Sequence, residues 1–91
     1  MRKPIGWQET ADDGLKYKVR VSLNHDGTLY WRRLHRRADG WEPFDPAPLH
    51  WELLMEKLHN RYVRREAPYE DLLRLISIAA AHDIRLTLPT R

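Results

Sequence analysis

The first half of the chain alternates between apolar and polar residues with the period of two that is typical of β-strands. Asp-Gly pairs stand at 13–14, 26–27 and 39–40, a regular spacing of thirteen residues, and each lies between two alternating segments. Asp-Gly is a strong hairpin signal, because glycine readily adopts the positive φ that a tight turn requires. Three such turns predict a four-stranded antiparallel meander.

Three-residue turns would fix the pairing of the first three strands. The second turn sets Val21 opposite Trp31, and the first turn separately sets Trp7 opposite Val19. The two registers agree, because both place the apolar residues on one face, whereas a slip by one residue would scatter them. That predicted core face consists of Ile5, Trp7, Leu15, Tyr17, Val19, Val21, Leu23, Leu29 and Trp31.

The third turn, treated in the same way, connects the third strand to the fourth. It predicts Arg36 opposite Glu42 and Leu34 opposite Phe44. Pro43 cannot donate a hydrogen bond to a neighbouring strand, which is typical of an edge. We therefore expect the fourth strand to be short and to lie at the edge of the sheet.

Beyond residue 47 the apolar period changes to 3.6, which predicts helices over roughly 48–65 and 68–82. The first helix has an apolar stripe of Trp51, Leu54, Met55, Leu58 and Tyr62. The second has an apolar face of Tyr69, Leu72, Leu73, Ile76, Ala79 and Ala80, with Leu75 and Ile78 outside it. Residues 84–88 alternate like a short C-terminal strand. The sequence thus predicts one α+β domain over 1–91, a meander with both helices packed on one sheet face.

Positive charge is concentrated in the central two strands. Residues 15–37 contain seven cations and one acid, a net charge of +6, whereas the whole chain has +3. In the predicted register Arg20 lies directly opposite Arg32, and like charges across a strand pair destabilise a sheet. The predicted open face carries these cations around one aromatic ring, and its candidate binding residues are Lys16, Lys18, Arg20, Tyr30, Arg32 and Arg36.

Composition limits the chemistry that we expect. The chain has no cysteine, which fits a reducing compartment and removes thiolate metal sites and cysteine nucleophiles. None of the five histidines has a second histidine four residues away, the spacing that places two metal ligands on one helix face. No Gly-rich phosphate loop, nucleophile motif, long apolar run or signal peptide is visible. We expect a cytoplasmic, non-enzymatic protein with no cofactor, no metal and no membrane contact.

Two functions fit these features. The first is a small binding module whose basic sheet face engages a polyanion, with nucleic acid preferred, because cations interleaved with an aromatic ring suit phosphates and bases. The second is a protein-interaction or structural module, for instance a homodimer formed through Leu75, Ile78 and the C-terminal tail. A solvated basic face would also explain the charge without any ligand.

Overall fold

The chain forms a four-stranded antiparallel sheet followed by two α-helices, which confirms the predicted α+β class. The computed structural model describes residues 4–10, 14–24, 26–35 and 39–89. The chain divides into two compact units, Met1–Asp45 and Pro46–Arg91. The single domain and the packing of the helices on the sheet stay predictions. The elements are β1 (Ile5–Thr10), β2 (Lys16–Leu23), β3 (Leu29–His35), β4 (Glu42–Pro43), α1 (Pro48–Val63) and α2 (Tyr69–Ala81).

The predicted register of β1, β2 and β3 is confirmed. Val21 lies opposite Ile5 on one side and opposite Trp31 on the other, while Trp7 lies opposite Val19. Because side chains alternate along a strand, this pairing brings the apolar residues of the three strands to one face. Ile5, Val19, Val21 and Trp31 are accordingly buried.

The turn between β2 and β3 has the predicted three-residue form. The backbone N–H of Asn24 donates to the carbonyl of Thr28 at 2.9 Å, and Gly27 takes a positive φ of 85°. The Asp26 carboxylate accepts hydrogen bonds from the Thr28 hydroxyl at 2.6 Å and from the Thr28 N–H at 3.0 Å. These two bonds favour the ionised carboxylate and lower the pKa of Asp26. The first turn lies mostly outside the described residues.

The predicted register of β4 is wrong. Glu42 lies opposite Arg33 instead of Arg36, a shift of three positions. An odd shift moves every side chain of the strand to the other face. Phe44 therefore contacts Trp31, with 6.0 Å between the ring centroids, and does not pair with Leu34. The observed register forms this ring contact and a 3.2 Å ion pair between Arg33 and Glu42, whereas the predicted one would have placed Phe44 among the cations.

In the helical unit, α1 buries most of its predicted stripe. Trp51, Leu54, Met55 and Leu58 are buried, whereas Tyr62, in the last turn of the helix, is exposed. The N-terminus of α1 is closed by His50, whose Nδ1 accepts a hydrogen bond from the Ala47 N–H at 2.9 Å. This bond satisfies a backbone donor that would otherwise have no partner inside the helix.

The predicted apolar face of α2 is only partly correct. Leu72 and Ala79 are buried as expected, but Leu73 is 48% exposed and Leu75 is only 1% exposed. The buried face therefore comprises positions 71, 72, 75 and 79, the spacing of one helical face. Because α2 is apolar around most of its circumference, the sequence pattern did not specify which face is buried. Leu75, expected outside the main face, belongs to the core.

Residues 84–89 form no strand, so the short C-terminal strand suggested by their alternation is not observed. The alternation nevertheless describes the burial of this segment. Leu86 is buried, while its neighbours Arg85 and Thr87 are exposed. An extended segment alternates its side chains in this way whether or not its backbone pairs with a neighbouring strand.

We expect Asp26 to make the stability of the sheet depend on pH. Its folded-state pKa lies below the ordinary value, so its stabilisation is present above the pKa of the unfolded chain, about 3.9, and is lost as pH falls through the folded value. Asp26→Asn, which resembles the protonated acid, should lower the urea midpoint at pH 7 and match the wild type at pH 2. Asp39→Asn removes the same charge from another turn and serves as control. An equal deficit of Asp26→Asn at both pH values would contradict this assignment.

Leu58→Ala should destabilise the protein by about 2–5 kcal/mol, because Leu58 is 5% exposed and its loss leaves a cavity. Leu49→Ala is a matched control in the same helix, since Leu49 is 63% exposed. The control should change the free energy of unfolding by about 0.5 kcal/mol or less. Chemical denaturation of both variants measures the two free energies of unfolding. Equal losses of stability would refute the placement of Leu58 in the core.

Candidate functional site

The face of the sheet opposite the apolar core carries five of the six candidate binding residues. Period-two alternation brings them together, because they alternate with the buried residues of β2 and β3. Four are exposed, including Tyr30 at 45%, and Arg32 is half-buried. Arg36 lies outside the described residues. We define the basic face as Lys16, Lys18, Arg20, Tyr30 and Arg32.

At the centre of the basic face, Arg20 of β2 lies directly opposite Arg32 of β3, as the sequence predicts. We name these two residues the arginine pair. Nη2 of Arg32 donates to the Ser22 hydroxyl at 3.3 Å, whereas its Nε is buried and has no hydrogen-bond partner among the described residues. Directly opposite strand residues have Cβ atoms about 4.5–5.5 Å apart. The pair thus brings two permanent positive charges close together.

Two aromatic rings flank the arginine pair. The guanidinium carbon of Arg20 lies 4.6 Å from the centroid of a Trp41 ring, and that of Arg32 lies 6.0 Å from the same ring and 5.0 Å from Tyr30. These cation–π contacts offset part of the repulsion between the arginines. A π-face provides this attraction without a carboxylate, so the contacts leave the net positive charge of the pair intact.

Trp41 is the site residue that the sequence prediction missed. The error follows from the register of β4. Since Glu42 shares a face with Arg33, the preceding residue Trp41 belongs to the opposite, basic side. The available signal was the position of Phe44, which reaches the apolar face next to Trp31 only in a register different from the one that a three-residue third turn gives.

No acid neutralises the basic face within the strands that the structure describes. The other residues that alternate onto it are uncharged: Gly6, Gln8, Thr10, Ser22 and Leu34. Glu42 instead pairs with Arg33 on the opposite face, at 3.2 Å. The face therefore keeps the positive charge of its four cations, and an anion can approach it without meeting a carboxylate on these strands.

Other kinds of site have less support in this chain. The described residues contain no cluster of three or more histidines and acids that would hold a metal ion. Neither described helix has the length and apolar composition needed to cross a bilayer. The basic face is thus the strongest candidate for chemistry that depends on a partner or ligand.

We expect Arg20 and Trp41 to be energetically coupled. A double-mutant cycle with Arg20→Gln and Trp41→Leu should give a coupling energy of about 0.5–1 kcal/mol, the value of a cation–π contact near a surface. A second cycle with Trp41→Phe should give a smaller coupling energy, because the Phe ring keeps most of the attraction to Arg20. Chemical denaturation of the single and double variants gives these energies. Coupling that is absent, or equal for Phe and Leu, would contradict the cation–π contact.

Comparison with protein-family models, with curated proteins and with solved structures finds no match to the chain. The chemistry of the basic face itself therefore carries the functional interpretation.

Proposed function

We propose that the chain is a non-enzymatic binding module whose basic face engages a polyanion, and that this polyanion is nucleic acid. The observation that carries the proposal is the arginine pair on a face without acidic strand residues. Arginine donors match phosphate oxygens in a bidentate geometry, which makes arginine well suited to phosphate recognition. A phosphate between Arg20 and Arg32 would interact favourably with both.

Energetics distinguishes this arrangement from an ordinary solvated surface. Like charges directly opposite each other destabilise a sheet, and the stability of the fold alone favours an uncharged or acidic residue at one of the two positions. The rings of Trp41 and Tyr30 reduce the repulsion but leave the net charge unchanged. A bound phosphate supplies the missing negative charge, so binding relieves the repulsion between Arg20 and Arg32 that remains in the folded protein.

The shape of the basic face also favours nucleic acid. Lys16, Lys18 and Arg20 follow one another at alternate positions of β2, spaced about 7 Å apart by the strand geometry. A row of cations of this kind suits a chain of phosphates better than a single small anion. Tyr30 adds an exposed ring on which a base can stack.

A second candidate is a protein-interaction module. The exposed apolar residues Tyr69 and Leu73 of α2 favour it, since such side chains contribute to protein interfaces. The predicted homodimer surface would need revision, because Leu75 is buried and Ile78 is half-buried. An acidic protein partner would instead use the basic face, through the same charges.

The proposed setting is cytoplasmic, where nucleic acid is accessible and the lack of cysteine carries no cost. The proposal requires no cofactor or metal. Phosphate binding by arginine and lysine depends on charge and hydrogen-bond donors alone.

Affinity for a single-stranded oligonucleotide should fall with salt, with a slope of roughly −2 to −4 in log K against log salt for three to five phosphate contacts. The double variant Arg20→Gln/Arg32→Gln should weaken binding and make the slope less negative by roughly 1.4, the value of two contacts to a single strand. Fluorescence anisotropy at several salt concentrations measures both quantities.

The matched control is Arg65→Gln/Arg85→Gln, which lowers the net charge by the same amount at exposed positions of the helical unit. It should leave the slope of the wild type unchanged. Equal effects of the two double variants would show that net charge governs binding and not the arginine pair. Absence of binding to DNA and RNA at low salt would refute the proposed function.

A further inference from the structure

The basic face has a concave site beside the arginine pair. Its volume is about 390 Å³, and it is lined by Gln8, Lys16, Tyr17, Lys18 and Leu34. Three of these residues form one row across the sheet, since Lys18 lies opposite Gln8 on β1 and opposite Leu34 on β3. The concave site is therefore built on the regular part of the sheet, at positions that the confirmed register fixes.

The concave site and the arginine pair lie in neighbouring rows of the same face. Lys18 and Arg20 are two residues apart on β2, as are Arg32 and Leu34 on β3. Same-face residues of a strand are about 7 Å apart. That separation is comparable to the span between the phosphate of a nucleotide and its base. A nucleotide with its phosphate on the arginine pair thus has its base within reach of the concave site.

The lining of the concave site suits a nucleic acid base. Leu34 is a half-buried apolar side chain on this face, and it offers a surface for the flat side of a base. The amide of Gln8 both donates and accepts hydrogen bonds, as the edge of a base requires. Lys18 lies on the middle strand between Gln8 and Leu34, and its long side chain, like that of Lys16, can extend to the adjoining phosphates.

We propose that this concave site holds one base of a single-stranded nucleic acid while the arginine pair holds a neighbouring phosphate. The inference rests on the proposed function and adds the class of nucleic acid to it. Along β3 the outward residues are Tyr30, Arg32 and Leu34, so the phosphate position has an aromatic ring on one side and the base site on the other. A base inside a duplex is paired and stacked, and reaching this site would cost the energy of flipping it out.

Three probes of equal length test the inference: a single strand of about ten nucleotides, within the range of known single-strand sites, its fully abasic counterpart and a duplex. The abasic strand has the same phosphates without bases. The wild type should bind the normal strand more tightly than the abasic strand by roughly 5- to 150-fold for each base it holds, the equivalent of about 1–3 kcal/mol. The duplex should not bind more tightly than the abasic strand by this factor, because its bases are already paired and stacked.

Variants assign the effect to the concave site. Leu34→Ser should lower the ratio of normal to abasic affinity by the factor for one base, while affinity for the abasic strand stays unchanged. Gln8→Ala should lower the ratio by roughly 2- to 10-fold, the value of one hydrogen bond. Leu49→Ser, at an exposed leucine of α1, is the matched control and should leave the ratio unchanged. Tyr30→Ala separately measures stacking on that ring.

The outcomes separate this inference from the proposed function. Salt-dependent binding with equal affinity for normal and abasic strands would overturn the base site and leave polyanion binding standing. A ratio that falls in Tyr30→Ala but not in Leu34→Ser or Gln8→Ala would also overturn it. Failure to bind any of the three probes at low salt would overturn both. Circular dichroism confirms that each variant is folded, and Gln8→Ala, at an exposed position, keeps the test valid if Leu34→Ser does not fold.

Discussion

The period of two along the β-strands is the constraint on which both faces of the sheet depend. Burial of Val19, Val21 and Trp31 requires one register, because a slip of a single residue would expose all three. The same register leaves Arg20 no position other than opposite Arg32. The register that buries the core therefore also fixes the positions of Arg20 and Arg32 opposite each other. The core does not require either residue to be arginine, whereas the proposed binding of phosphate does.

The sequence predicted the first three strands correctly because two turns determined the same register independently. The third turn had no such check, and its assumed length of three residues put β4 out of register by three positions. A length error in one turn changes the face of every residue beyond it when the error is odd. Here it placed Phe44 on the wrong face and gave no reason to place Trp41 beside Arg20, although the register of β1 to β3 already put Lys16, Lys18, Arg20 and Arg32 on one face. The contact of Phe44 with Trp31 joins two strands, so the only sequence signal for it was the preference of an apolar ring for the apolar face.

The helices show a related limit. In α1, polar residues separate the apolar ones and define one direction, so Trp51, Leu54 and Leu58 could be assigned to the core. In α2 most positions are apolar, and the choice between Leu73 and Leu75 depends on which neighbour each one meets. Periodicity specifies a face only where polar residues mark its edges. The concave site was likewise beyond prediction, because a volume depends on side-chain conformations that spacing does not fix.

Trp41 explains how a like-charged pair can persist in a stable sheet. A carboxylate beside the arginines would also have relieved their repulsion, but it would have cancelled the charge that attracts an anion. An aromatic ring attracts a guanidinium through its quadrupole and carries no net charge. Trp41 and Tyr30 thus lower the cost of the arginine pair while leaving its field available to a ligand. Arg33, on the opposite face, also lies over two aromatic rings, those of Tyr17 and Phe44, but it forms an ion pair with Glu42 as well, which neutralises its charge. Aromatic rings thus accompany arginine on both faces of the sheet, whereas the carboxylate of Glu42 lies only on the side of Arg33, and this difference supports the proposed anion binding at the basic face.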